Sequence, residues 1–148
     1  MDAAILNQLC NFCAYRERCI KEVREKMQKL QIPKEEHLYY IDKLMYGNYL
    51  NEERFAKAYA NGHARKGWGK QKIRMGLAQK QVSKAAIEQA ISQIDADDYA
   101  DKLQAIVQKK WRTIKGETLH ERKMKLMKFL MGKGYEMQHI KAQIATLK

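Results

Sequence analysis

The sequence predicts an all-α protein: a tandem repeat of three three-helix bundles forming an elongated, curved rod. Three observations predict it. Apolar residues recur at intervals of three and four, the helical period. The chain holds one proline, and its β-branched residues are mostly single isoleucines, which leaves little basis for strands. One apolar pattern also returns twice. Val23, Met27, Ile32, His37 and Ile41 reappear as Ile73, Leu77, Val82, Ile87 and Ile91, then as Leu126, Leu130, Tyr135, Ile140 and Ile144. A period of about fifty residues is the mark of stacked modules. Helices of about a dozen residues are marginal alone in water, so such modules need a shared packing rule.

The elements follow in order. Leu6 and Leu9, with Cys10 and Cys13, mark a first helix. Ile20, Val23, Met27 and Leu30 mark a second, stopped by Pro33, and Leu38, Ile41, Leu44 and Met45 mark a third. Asn51 caps a fourth, with Phe55, Ala58, Tyr59 and Gly62 facing inward. Gly67-Trp68-Gly69 breaks that helix, and a fifth carries Ile73 and Leu77. Ser83 caps a sixth that buries Ile87, Ala90, Ile91 and Ile94. The acidic cluster Asp95, Asp97, Asp98 and Asp101 suits the positive N-terminal end of a seventh, running through Tyr99, Leu103, Ile106 and Val107. Thr118 with Glu121 has the form of a capping box for the eighth, which buries Leu126 and Leu130. Gly134 ends it, and Ile140, Ile144 and Leu147 define the ninth. The expected repeats span 1–50, 51–94 and 95–148. The connectors repeat as well: Leu30-Gln31-Ile32-Pro33, Lys80-Gln81-Val82-Ser83 and Lys133-Gly134-Tyr135-Glu136. His37 breaks the pattern, being polar where its counterparts are isoleucine; either a degenerate first repeat or a partly exposed site accounts for it.

The 148 residues carry a net charge of +12. By repeat it divides as +1 (eight basic, seven acidic), +6 (nine, three) and +5 (twelve, seven). No apolar run approaches membrane-spanning length, and no basic-then-apolar secretory signal opens the chain. A cytoplasmic, reducing location is expected, with three free cysteine thiols and no membrane partner. Cys10-Asn11-Phe12-Cys13 followed by Cys19 invites a metal or redox reading. Thioredoxin-like chemistry needs a βαβ setting, and zinc needs a fourth ligand that only distant His37 or His63 could supply. Cys10 and Cys13 share a face with Leu6 and Leu9, where a thiol packs as a small hydrophobe. No metal and no cofactor are therefore expected. No phosphate-cradling loop, His-Glu-x-x-His pair or carboxylate cluster near the basic residues offers catalysis. The sequence reads as a non-enzyme without a small-molecule substrate.

The most informative stretch is Arg54 to Ile87. It holds nine Lys/Arg (Arg54, Lys57, Arg65, Lys66, Lys70, Lys72, Arg74, Lys80, Lys84) and no acid. Ordinary helical surfaces intersperse both signs, so this field calls for a polyanion or an acidic protein groove. At its centre, Gly67 is expected to take the left-handed conformation that ends the fourth helix, and Gly69 to let the chain turn into the fifth. That turn delivers Arg65, Lys66, Lys70, Lys72 and Arg74 from two helices to one corner, the candidate surface for a partner or nucleic acid. Trp68 either lids the second bundle or stands out as an anchor. The bland alternative is a solvated basic face with a core tryptophan.

At these residues the chain resembles the RecX family, regulators of the RecA recombinase, over nearly its whole length. The resemblance rests on Leu50-Asn51-Glu52-Glu53-Arg54-Phe55-Ala56, Arg65-Lys66-Gly67-Trp68-Gly69, Ile73-Arg74 with Leu77, and Ala85-Ala86-Ile87-Glu88-Gln89-Ala90. Arg16-Glu17-Arg18 is similar to the family's opening motif, and Lys128-Phe129-Leu130 with Lys133-Gly134-Tyr135 to its closing one. The chain departs from the pattern at five places. His63 stands where arginine is usual, Lys70 for a helix-opening proline, Gly76 for glutamate, Gln81 for a helix-ending glycine, and Cys19 for a capping serine. The resemblance implies a modulator that lies in the groove of the RecA–single-stranded-DNA filament. There it would damp ATP hydrolysis, filament extension and strand exchange, in DNA recombination, repair and the SOS response. The competing expectation is a general single-stranded nucleic-acid-binding protein, with phosphates on the corner and a base on Trp68.

Overall fold

The same left-handed connector appears three times. Gln31 (φ 58°), Gln81 (φ 62°) and Gly134 (φ 92°) each sit just past a helix end. Around each, the following amide bonds back across the last turn: Ile32 N–H to Met27 O, Val82 N–H to Leu77 O, and Tyr135 N–H to Leu130 O, at 3.0, 3.2 and 3.2 Å. This pattern caps carbonyls that the helix end would leave unpaired. Gln81 therefore adopts the glycine conformation without being glycine, as Gln31 does.

The computed structural model describes all residues, Met1–Lys148, and the fold is all-helical. Three helices form each of three successive sets: α1 (Ala3–Tyr15), α2 (Ile20–Lys29) and α3 (His37–Tyr46); α4 (Glu52–Arg65), α5 (Lys70–Gln79) and α6 (Lys84–Ser92); α7 (Ala96–Thr113), α8 (Leu119–Gly132) and α9 (Met137–Ala145). A short 3-10 turn, Lys34–Glu36, leads into α3. Caps explain the starts. Asp2 accepts from the Ala4 amide, Asn51 from Arg54, Ser83 from Ala86 and Asp95 from Asp98. Thr118 accepts from Glu121 N–H, but Glu121 reaches back to the Glu117 amide, so the expected box is offset by one residue.

The chain divides into two compact units, Met1–Ala58 with Leu77–Ala90 and Tyr59–Gly76 with Ile91–Lys148; the division falls inside α4, α5 and α6. In the first unit, Leu9, Cys13, Val23, Met27, Ile32, Tyr40, Ile41, Leu44 and Leu50 form the core. Cys13 and Cys19 are buried and Cys10 is half-buried, all as free thiols. Burial pushes the Cys13 thiol up to about 11, which keeps it protonated and apolar. In the second unit, Tyr99, Leu103, Val107, Leu126, Leu130, Tyr135, Ile140 and Ile144 are buried.

Two helices sit in a different phase from the one their apolar residues suggest. Leu38 and Met45 of α3 are exposed (63% and 50%), whereas His37, Tyr40, Ile41 and Leu44 are buried. His37 holds that phase because its Nε2–H donates to the Ile32 carbonyl at 3.1 Å, which lets a polar ring occupy an isoleucine position. In α4, Phe55, Ala56, Ala60 and Ala64 are buried while Ala58 is exposed and Tyr59 and Gly62 are half-buried. Beyond Phe55, the buried face of α4 is thus a stripe of three alanines.

Within the second unit, α5 begins against the end of α8. Gly69 N–H donates to Lys133 O (2.7 Å), Lys70 N–H to the Tyr99 hydroxyl (2.9 Å), and Gln71 N–H to Gly134 O (2.9 Å). Three consecutive amides that a helix start leaves open are thus satisfied by the third repeat. A Cβ on Gly69 would meet the Gly134 carbonyl, and one on Gly134 would meet the Lys72 backbone. Gly134→Ala, and independently Gly69→Ala, should lower stability by about 2–3 kcal/mol, the usual cost of overpacking, read as a reduced urea midpoint. Gln81→Gly, which relieves a left-handed side chain without crowding, should hold or raise stability by up to about 1 kcal/mol.

In the first unit, Glu22 is buried. It accepts from the Cys19 amide (3.2 Å) and pairs with Arg16 and Lys80, each at 3.2 Å. Burial alone would raise its pKa, but the Cys19 amide, Lys80 and Arg16 outweigh that and hold it below the usual carboxylate range. Because the folded-state value lies below the unfolded one, the stabilisation is fully present above the ordinary carboxylate pKa of about 4.3 and is lost as pH falls through the folded value. Glu22→Gln should therefore cost about 1–2 kcal/mol at neutral pH and little at low pH. Urea midpoints measured at the two pH values check this.

Candidate partner and nucleic-acid interface

The corner is built by the way α4 ends. Gly67 takes φ 95°, and its amide bonds to Ala64 O while that of Trp68 bonds to His63 O, both at 3.0 Å. This turn folds Trp68 back toward its own helix. The Trp68 ring lies 4.2 Å from that of His63, which stacks on Tyr59 at 4.0 Å. His63 is fixed by its Nδ1–H donating to the Tyr59 carbonyl at 2.8 Å. Lys72, in the first turn of α5, brings its Nζ to 4.3 Å from the Trp68 ring. Trp68 is half-buried, neither a sealed lid nor a free anchor.

Lys70 is placed by the α5 start. Its Nζ lies 4.8 Å from the Tyr99 ring, the same residue whose hydroxyl accepts its amide proton. That hydroxyl also donates to Glu136 at 2.8 Å. Burial and the adjacent Glu136 carboxylate push the Tyr99 pKa well up, so the proton stays available for that bond. A proline at position 70 has no N–H to give Tyr99, which accounts for lysine there. Gly76 is likewise explained, since a Cβ at that position would meet the Tyr59 hydroxyl.

The structure sets Trp68, Lys70 and Lys72 against aromatic rings. Arg65 is exposed and lines a cavity of about 400 Å³ with Asp95, Asp98 and Lys102. Lys66 is exposed at the helix end. Arg74 is half-buried, and its Nη1 donates to Gln71 at 3.3 Å. The wider basic stretch is partly neutralised from outside. Arg54 pairs with Glu17 at 2.8 Å and Lys80 with Glu22, acids from the first repeat. The residues that sequence reasoning missed are Tyr99, Lys133, Gly134 and Glu136, which hold the start of α5. Tyr99 reads only as a core residue of α7, and the only trace of the docking is that glycine fills the third connector where glutamine fills the other two.

Comparison with known proteins fits this arrangement. The model of the second RecX three-helix domain matches residues 51–91 and that of the third matches 97–144, together more than half of the chain. The regulatory protein RecX of Haemophilus influenzae (strain PittGG) is 26% identical over 136 residues, 91% of this chain and 89% of that protein. That of Vibrio parahaemolyticus is 34% identical over 93 residues, 63% of this chain and 59% of its own length. The crystal structure of RecX from Lactobacillus salivarius shares the fold at 21% identity, with a TM-score of 0.84 covering 95% of this chain and 92% of that one. With two of its three helical repeats matched as such, this chain belongs to the RecX family.

Proposed function

We propose that this protein binds the RecA–single-stranded-DNA filament and restrains it, lowering ATP hydrolysis, filament extension and strand exchange during recombination, repair and the SOS response. The observation that carries this reading is a corner of lysines presented on aromatic rings, in a chain of the family whose members are named regulatory proteins. Tandem modules of similar build suit a helical, repeating target. A charge of +12 suits a groove with acidic protein walls and phosphate inside. The protein acts by binding rather than by catalysis, and its place of action is the cytoplasm, where such filaments form. No helix is long and apolar enough to cross a membrane.

Two measurements test this. Substoichiometric protein should slow ATP hydrolysis by pre-formed RecA filaments. An unchanged rate at saturating protein, with bare-strand binding intact, would favour a general single-strand binder, the reading that Lys72 on Trp68 also suits. Replacing Lys66, Lys70 and Lys72 by Gln should leave the fold intact, with a loss of about 0.5–1 kcal/mol for each cation–aromatic contact removed. Filament binding should weaken. If these lysines meet phosphate, the log–log salt slope on single strands should fall by about 2.1, at about 0.7 per contact. If they meet acidic RecA residues, that slope should hold while filament binding drops.

A further inference from the structure

We infer that the cleft between the C-terminal ends of α7 and α8 is a second subsite for a single nucleic-acid strand, with Lys109, Lys110 and Lys133 on phosphates and Phe129 beneath a base. It rests on the reading above only in extending the same strand's path. The region is basic in its own right: nine Lys/Arg lie between Lys109 and Lys133 against two acids, Glu117 and Glu121. The cleft, about 300 Å³, is lined by Ile106, Lys109, Lys110, Thr113, Phe129 and Lys133. That volume is at the small end of ligand sites and suits one base-sized group.

Two of the lysines converge on one ring. Lys110 Nζ lies 4.4 Å and Lys133 Nζ 5.7 Å from the centre of the same Phe129 ring. The two ammonium groups are therefore no more than about 10 Å apart; their mutual repulsion is slight and screened by salt, and their fields add toward an incoming anion. Helix-end electrostatics and the ring face together account for where these cations sit, and no carboxylate lines the cleft to offset them. A phosphate drawing these ammonium groups aside would leave the ring face and Ile106 to a base, the combination that holds single strands without sequence preference.

The cleft also adjoins the corner already described. A Cβ on Gly67 would meet Ile106 Cδ1 at 2.8 Å and come within 3.6 Å of Lys133 Cε. Lys133 moreover accepts the Gly69 amide proton. The turn that carries Trp68 thus abuts Ile106 and Lys133, two of the residues that line the cleft, and one strand can run from Lys72 and Trp68 past the turn to Lys133 and Lys110. An acidic peptide would also satisfy the lysines, but Phe129 and the adjoining Trp68 supply stacking faces that favour bases.

Full-length protein with Lys109, Lys110 and Lys133 replaced by Gln, and separately Phe129→Leu, should be titrated against a labelled oligothymidylate by fluorescence anisotropy from about 50 to 200 mM salt. Circular dichroism confirms retained helicity. The triple variant should reduce the log–log salt slope by about 2.1. Phe129→Leu should weaken binding roughly five- to 150-fold, the range for one base–aromatic stack, without changing the slope. An unchanged slope in the triple variant overturns the inference, as does a parent that does not bind the bare strand. If the triple variant loses filament association while its bare-strand slope holds, the cleft takes an acidic protein segment instead, which overturns the strand subsite while leaving the RecA reading in place. Conversely, a lowered slope with unaltered RecA ATPase at saturating parent protein supports the subsite and removes that reading.

Discussion

The position of α5 depends on a backbone-to-backbone contact. Helices of ten residues leave a large share of their amides and carbonyls without intrahelical partners, and α5 meets this by starting on another element. Its opening amides at Gly69, Lys70 and Gln71 bond to Lys133 O, the Tyr99 hydroxyl and Gly134 O. Contact at that range requires that neither Gly69 nor Gly134 carry a side chain. The contact also sets where Lys70 and Lys72 point, because both lie within the first turn it fixes. Tyr99 is the polar hinge of the arrangement: it accepts one proton, donates another to Glu136, and turns its ring toward Lys70.

Charge is distributed with equal economy. Two cations of the basic stretch are held by first-repeat acids, Arg54 by Glu17 and Lys80 by Glu22, and there they organise structure. Arg65 lines one cavity with Asp95, Asp98 and Lys102. Lys70 and Lys72 instead rest on the Tyr99 and Trp68 rings. A ring face lowers the cost of holding a cation near apolar surface and keeps the ammonium group oriented, at a gain of about 0.5–1 kcal/mol when exposed. The same device recurs at Lys110 and Phe129 in the third repeat.

Repetition bears on one departure from the family pattern, Gln81. All three connectors require a left-handed residue, and glutamine supplies it twice at a cost of about 1–2 kcal/mol each. Only in the third is glycine needed for a second reason, the approach of Lys72. His37 follows similar logic: a ring nitrogen that finds the Ile32 carbonyl can sit where the other repeats place isoleucine.

The sequence by itself determined the helical class, the order of nine helices, most of their caps and the threefold pattern, because periodicity and capping are local and each residue states them directly. Ile73, Leu77, Leu126 and Leu130 were legible as core for that reason. It also marked the Gly67 turn and the cations around it. Tertiary structure alone decided the phase of α3 and α4, in which His37 is buried on the Ile32 carbonyl and Ala56, Ala60 and Ala64 take the inner face expected of Ala58 and Gly62. It decided as well which cations are committed to Glu17 and Glu22, since those acids lie more than thirty residues away in the chain. Last, it decided that α5 begins on α8, because two glycines sixty-five positions apart reveal their purpose only when their backbones meet.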